Sequence, residues 1–352
     1  MTEIKVALIG YGGMGKQHVK RIQNNKKLII TGVYDIDPTI DYSDLDNQVL
    51  IYSNWEEVLR DTRIDAIIIA TPNDSHFNLA SEAMYAGKHV LCEKPVTLNH
   101  KEFQDLDNIS KQTNKLIMVN QNRRWDENYL IVKKLLDEKK LGELYYLESR
   151  VQGSRGIPND WRRDKSQGGG MLLDWGVHLI DRVLLLFKDQ KVDSIKADLN
   201  YFLGHNVDDG FKITITFTSN KTAFIEVGTY NFVELPEWYV VGSTGTAVVE
   251  DYELNGQYVT LTEELSKTVV PVETGAGLTK TMAPRNDNSI LVNELPNVSS
   301  NINEFYDNFA DVINNEASPI VKNEEVLRVM KLIDAAFQSH ENNEVIKFND
   351  GL

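Results

Sequence analysis

The chain of 352 residues predicts an α/β fold: an N-terminal Rossmann-type, doubly wound parallel sheet, then an α+β domain with a large, mainly antiparallel sheet. Three observations point there. Continuous apolar runs separated by amphipathic stretches fill the first third, as strands do when helices cover both faces of a parallel sheet. A glycine-rich segment, "GYGGMG" from Gly10 to Gly15, joins the first apolar run to the first helical stretch. In the later part of the chain, apolar residues recur at every second position, as in antiparallel strands with one covered face. The division is set at residues 1–122 and 123–352, with the C-terminal helices able to pack back on the first domain.

Taken in order, strand-like runs occur at Ile4 to Ile9, Leu28 to Tyr34, Val49 to Tyr52, Ala66 to Ala70, His89 to Cys92 and Leu116 to Val119. Helical spacing lies between most of them, as in "NWEEVLRD" from Asn54 and "SHFNLASEAMYAG" from Ser75. The second domain opens with helical stretches at Tyr129 to Lys139 and Met171 to Phe187. "SIKADLNYF", "FKITITFTS", "TAFIEVGTY" and "QYVTLTE" then alternate in period two, and the tail from Asn301 returns to helical periodicity. Gly275 to Asn297 reads as loop and as the most mobile stretch.

Composition excludes several classes. Acidic side chains outnumber basic ones by 52 to 37 and no Lys/Arg-rich block appears, so a nucleic-acid partner is not expected. The longest apolar runs, such as "AIIIA" at Ala66, are far too short to span a bilayer, and no charged leader with a long apolar region precedes the first strand. The protein is therefore expected to be soluble and cytoplasmic. A single cysteine, Cys92, permits neither an intrachain disulfide nor a Cys-based zinc site and reads as a small buried apolar residue. No metal site is expected.

Gly10, Gly12 and Gly15 fit G-x-G-x-x-G, with Gly13 and Met14 in the same loop. The first glycine permits the tight turn, the second lets backbone approach a pyrophosphate, and the third lets helix and strand pack closely. The helix N-terminus that follows offers free N–H groups and partial positive charge. Asp35 ends the second strand, twenty positions after Gly15, where a carboxylate accepts hydrogen bonds from a ribose diol and repels a 2'-phosphate. No cation follows in "IDPTIDYSDLD", which favours NAD over NADP. The bland alternative is that Asp35 caps a turn before Pro38 and the glycines are structural.

Two further segments lie at strand ends, where ligands of doubly wound sheets bind. "ATPNDSH" would place Thr71, Pro72, Asn73 and His76 beside a dinucleotide, although Asn73 or Ser75 could cap the next helix and His76 could be an exposed first-turn residue. "CEKP" puts Glu93 and Lys94 at the same rim, with Lys94 either a contact to a substrate hydroxyl or a solvated charge. In "GGGMLLDWGVHLIDRVLLLF", Asp174, His178, Asp181 and Arg182 interrupt an otherwise apolar helix at the spacing of one face. A carboxylate and an imidazole four apart suit orientation of a substrate and removal of its hydroxyl proton. A water-facing stripe with a weak Asp174–His178 pair is the alternative.

The succession "GYGGMG", "ATPNDSH", "AGKHVLCEKP", "NQNRRW" and "GGGMLLDWGVHLID" resembles the glucose–fructose oxidoreductase, inositol dehydrogenase and rhizopine-catabolism (MocA) family, in order along the whole chain. The resemblance implies a nicotinamide held between the two domains and oligomers, homodimer or homotetramer, formed through the large sheet. It implies that Lys94 contacts the reacting hydroxyl, that Asp174 orients substrate and lysine, and that His178 is the general acid or base. Arg124 and Asp181 become substrate-pocket positions, Asn122, Trp161 and Arg162 cofactor-binding ones, and the Lys94–Pro95 bond a candidate for cis. Tyr230 and "NFVELPEWY" are expected in the substrate wall. The activity implied is hydride transfer between a secondary alcohol of a sugar, inositol or related polyol and NAD. A glycosidase with transient redox and a non-catalytic sugar or dinucleotide sensor are the rivals.

Overall fold

The structure, a computed structural model, describes residues 3–262, 271–279, 285 and 288–349. Strands β1 (Ile4–Ile9), β2 (Leu28–Tyr34), β3 (Leu50–Ile51), β4 (Ala66–Ile69), β5 (His89–Cys92) and β6 (Ile117–Val119) form one all-parallel sheet in the order β3-β2-β1-β4-β5-β6. Helices α1 (Gly13–Ile22), α2 (Trp55–Arg60), α3 (His76–Tyr85) and α4 (His100–Thr113) make the crossovers. Burial on both faces explains the unbroken apolar runs: all four β4 residues are inaccessible to solvent. Asn54 and Asn99 cap α2 and α4 by accepting the N–H of Glu57 and Glu102. Strand order reverses between β1 and β4, which opens a crevice beyond their carboxyl ends.

A short 3-10 turn, Asn122–Trp125, leads into α5 (Glu127–Asp137), β7 (Leu144–Gln152) and then a π-helical turn, Leu172–Gly176, continuous with α6 (Val177–Leu186). The chain continues through β8 (Val192–Asn200), β9 (Gly210–Phe217), β10 (Thr222–Gly228), β11 (Trp238–Gly242), β12 (Gly245–Val249) and β13 (Gly256–Leu261). A hairpin, β14 (Val272–Thr274) and β15 (Gly277–Thr279), precedes β16 (Ile290–Glu294), α7 (Asn303–Ile313), α8 (Asn323–Asn342) and β17 (Ile346–Lys347). The nine-stranded sheet runs β16-β13-β12-β11-β7-β10-β9-β8-β17 and is antiparallel except where β7 meets β10. Along β9, Phe211, Ile213, Ile215 and Phe217 are buried while Lys212, Thr214 and Thr216 face the other side, the period-two pattern of one covered face.

Two expectations need correction. Gly275 to Asn297 is not all loop: β15 falls within it, and β16 pairs with β13 at the edge of the large sheet, while residues 280–284 and 286–287 lie outside the described residues. The short, exposed β16 carries too little apolar alternation to be read as a strand without its partner. The helix at Met171 to Phe187 is also not uniform, because its first turn is π-helical. Helices α7 and α8 reach the first domain, where Asn25 Nδ2 donates to Asp307 at 2.8 Å and Lys27 Nζ pairs with Asp311 at 2.6 Å. Among the described residues no helix is long and apolar enough to cross a membrane.

Candidate active site

A cleft of about 1120 Å³ lies where the carboxyl ends of β1, β4 and β5 face residues 160–178. At one end, Gly10 takes φ +89°, and a Cβ there would sit 2.6 Å from the Ala70 carbonyl oxygen, so only glycine fits the turn. A Cβ on Gly15 would meet the Gly10 oxygen at 2.0 Å, which fixes how closely α1 approaches β1. Gly12 and Gly13 line the cleft, and a Cβ on either would meet no atom within 4 Å, so this backbone is open to a ligand. Helix α1 starts at Gly13 with no side-chain cap, leaving its first N–H groups for an anion. The loop, the uncapped helix end and Asp35 across from them fit a dinucleotide.

Asp35 sits at the cleft and also braces its own loop. It lines the cleft, and its carboxylate also accepts the N–H of Tyr11 at 2.6 Å and of Asp37 at 2.9 Å. Asp41 and Asp44 lie on the same loop, and the nearby Lys16 pairs with Asp44 at 3.5 Å. Thr71, Pro72 and Asn73 line the cleft beyond the end of β4. Asn73 caps nothing: it donates to the Gly168 carbonyl at 2.8 Å and ties the two domains together. His76 is buried, its ring nitrogens 2.8 Å from Pro95 O and 2.9 Å from Thr71 O, so it braces the rim from behind and does not line the cleft.

At the other end, Lys94 Nζ lies 3.0 Å from Asp174 Oδ1 and 3.1 Å from its carbonyl oxygen, and the Lys94–Pro95 bond is cis. Arg162 Nε donates to the other Asp174 oxygen at 3.0 Å. Burial raises the Asp174 carboxyl, but the adjacent Lys94 and Arg162 charges outweigh it and hold the group below its ordinary value. Asp174 does not pair with His178, and neither is solvated as the bland reading required. His178 is 4% exposed, and its Nδ1 has no partner. Burial, then the charges of Lys94, Arg123 and Arg182, push this imidazole well below its usual pKa, so it is neutral at physiological pH.

The local fold explains this convergence. The carbonyl of Asp208 accepts Met171 N–H at 3.0 Å and its carboxylate accepts Leu172 N–H at 2.7 Å, which anchors the start of the π-helical turn. Gly169 and Gly170 N–H groups bond back to Asp164 O and Arg162 O, bringing Trp161 and Arg162 to the cleft wall. Asn122 lines it as well. Three expected substrate residues lie elsewhere. Arg124 and Asp181 bond each other in a buried two-pronged pair at 2.6 and 2.8 Å, and Tyr230 is an exposed residue after β10 outside the cleft lining. In place of Arg124, the neighbouring Arg123 lines the cleft with its guanidinium 4.1 Å from the Trp175 ring. Trp175 and Arg123 were missed, although both adjoin residues singled out in the sequence.

The cleft and fold are those of a two-domain, dinucleotide-binding oxidoreductase. Residues 4–121 match the family model described as an oxidoreductase family with an NAD-binding Rossmann fold, and residues 133–348 match that family's C-terminal alpha/beta domain. The chain belongs to the glucose–fructose oxidoreductase, inositol dehydrogenase and MocA family. It is 30% identical over 348 residues to the uncharacterized oxidoreductase YdgJ of Escherichia coli K12, covering 97% of this chain and 98% of YdgJ. It is 25% identical to scyllo-inositol 2-dehydrogenase (NADP(+)) IolW of Bacillus subtilis, with 97% and 95% covered. The crystal structure of an NAD-binding protein from Listeria innocua superposes with a TM-score of 0.94 at 46% identity, over 99% of this chain and 100% of that one.

Proposed function

We propose that the protein is an NAD-dependent dehydrogenase that oxidises a secondary alcohol of a neutral sugar or cyclic polyol. The observation that carries this reading is the meeting of Lys94, Asp174 and His178 in the cleft that also holds the glycine loop and Asp35. When bound, the nicotinamide supplies the hydride acceptor. The protein's part is to orient the alcohol, and His178 takes the hydroxyl proton while Lys94 stabilises the oxygen as negative charge develops on it. Asp174 fixes Lys94 in position. Neutral substrates follow from the charge balance: Lys94 and Arg162 share Asp174, Arg162 also bonds Asp160, and Arg123 bonds Asp126, which leaves no spare cation for an anionic group. Trp161 and Trp175 offer ring faces to the apolar side of a sugar.

The reading is tested by screening inositols, aldoses and deoxysugars with NAD at 340 nm. Stoichiometric NADH from a free polyol is expected. A transient signal that returns to baseline as a glycosidic bond breaks would replace the dehydrogenase with a redox-assisted glycosidase, and binding with no absorbance change would make the protein a sensor.

The same reading assigns NAD over NADP, unlike the relative named for NADP. The acidic loop of Asp35, Asp37, Asp41 and Asp44 supports it, since its nearby Lys16 is already paired. Asp35→Asn keeps an acceptor for Tyr11 N–H while removing the charge. It is expected to narrow the ratio of kcat/KM for NAD over NADP by about tenfold. An unchanged ratio would mean that Asp35 only braces the loop.

A further inference from the structure

Beneath the cleft floor runs a buried polar chain that hydride transfer does not use. His18, inaccessible to solvent on α1, sets Nε2 2.9 Å from Glu93 Oε1, and Asn120 Nδ2 donates to the same oxygen at 2.6 Å. The hydroxyl of Tyr306, on α7, lies 2.9 Å from His18 Nδ1, and the Arg21 guanidinium lies against that hydroxyl. With Tyr306 O–H donating to Nδ1, Nε2–H is left to donate to Glu93. Glu93 lines the cleft at the Lys94 end yet is only 4% exposed.

We propose that the His18–Glu93 pair sets the relative affinity of the cleft for oxidised and reduced nicotinamide dinucleotide. This rests on the reading above, in which the cofactor's adenosine end meets Asp35 and its redox ring lies towards Lys94. The oxidised ring carries a positive charge and the reduced ring none. A fixed, poorly solvated carboxylate at that end therefore stabilises the oxidised form selectively. Lys94, which is bonded to Asp174, offsets that carboxylate only in part. The other titratable groups around Glu93 are His76 behind the rim, Cys92 on β5 and Tyr306. Burial raises the Glu93 carboxyl, but the hydrogen bonds from His18 and Asn120 and the charge of Lys94 outweigh it and hold the group below its ordinary value. His18 is thus a positioning residue: it touches no cofactor atom and acts through Glu93.

The test is calorimetric titration of NAD and NADH into the wild-type protein, Glu93→Gln, His18→Leu and His18→Gln at pH 6 and pH 9. Glu93→Gln is expected to lower the preference for NAD relative to NADH by about tenfold at both pH values. His18→Leu, which strips the hydrogen bond and lets Glu93 take up a proton in mild acid, should match wild type at pH 9 and approach Glu93→Gln at pH 6. His18→Gln restores an N–H donor and should keep the wild-type ratio at both. If all three variants retain the wild-type ratio while stability or both affinities fall together, the pair is structural and the inference fails. A wild-type protein that binds neither form overturns the cofactor reading itself, and this inference with it.

Discussion

His178→Ala is expected to lower kcat by about two to four orders of magnitude while leaving the dissociation constant of NADH largely unchanged. The expectation rests on a buried imidazole that lines the cleft, lies within the field of Lys94 and is held neutral. Its depressed pKa fixes the sign of the pH dependence. A proton acceptor must start neutral, and the folded-state pKa lies well below 6.5, so oxidation should show no acid limb from His178 between pH 6 and 8. His178→Asn offers a hydrogen-bond partner without a titratable nitrogen and should be nearly as slow as the alanine variant. Lys94→Met removes a different function. It leaves Asp174 with Arg162 alone and should impair both kcat and alcohol binding. Stopped-flow measurement of the first turnover separates these losses from slow product release. Undiminished single-turnover rates in His178→Ala would remove the imidazole from the chemistry.

The parts of this site that were legible in the sequence are those where backbone or burial leaves few alternatives. Gly10 and Gly15 are dictated by a turn and a close approach that no side chain survives, so their spacing carries information without a structure. Asp174 and His178 stood out because polar groups on an apolar helix must be satisfied or used. Asp181 and Arg124, which the family resemblance made substrate-pocket positions, satisfy each other instead: periodicity shows that a polar group is buried, not whether its partner is a substrate or another side chain. Arg123 and Arg124 illustrate the limit. They are adjacent, and the 3-10 turn from Asn122 to Trp125 sends one into the cleft and the other away. Trp175 was unreadable for a related reason, since it reads as core on an apolar helix until the π-helical turn presents it to the cleft. In the large sheet, β8, β9 and β10 were plain from alternation, whereas β16 exists through its pairing with β13.

Asp181→Ala distinguishes the two assignments of that residue and should have a large effect on stability. Arg124 is 8% exposed at its side chain and is held by both Asp181 oxygens, by Glu325 at 2.8 Å and by the Ile320 carbonyl at 3.3 Å. Burial opposes the Arg124 charge, and the two carboxylates more than offset it. Removing Asp181 strands a guanidinium in a poorly solvated site; such losses cost about 3–5 kcal/mol, and the surviving Glu325 contact places this one near about 3 kcal/mol. The pair links the turn after β6 to α6 and, through Glu325, to α8, so the loss should appear as a lower urea midpoint. Arg124→Met combined with Asp181→Leu removes both charges and should recover most of the stability, giving a coupling energy above about 1 kcal/mol in a double-mutant cycle. Below the unfolding transition, KM for the alcohol should stay near the wild-type value, because neither side chain reaches the cleft. A tenfold rise in KM with an unchanged urea midpoint would reverse the assignment and return Asp181 to the substrate.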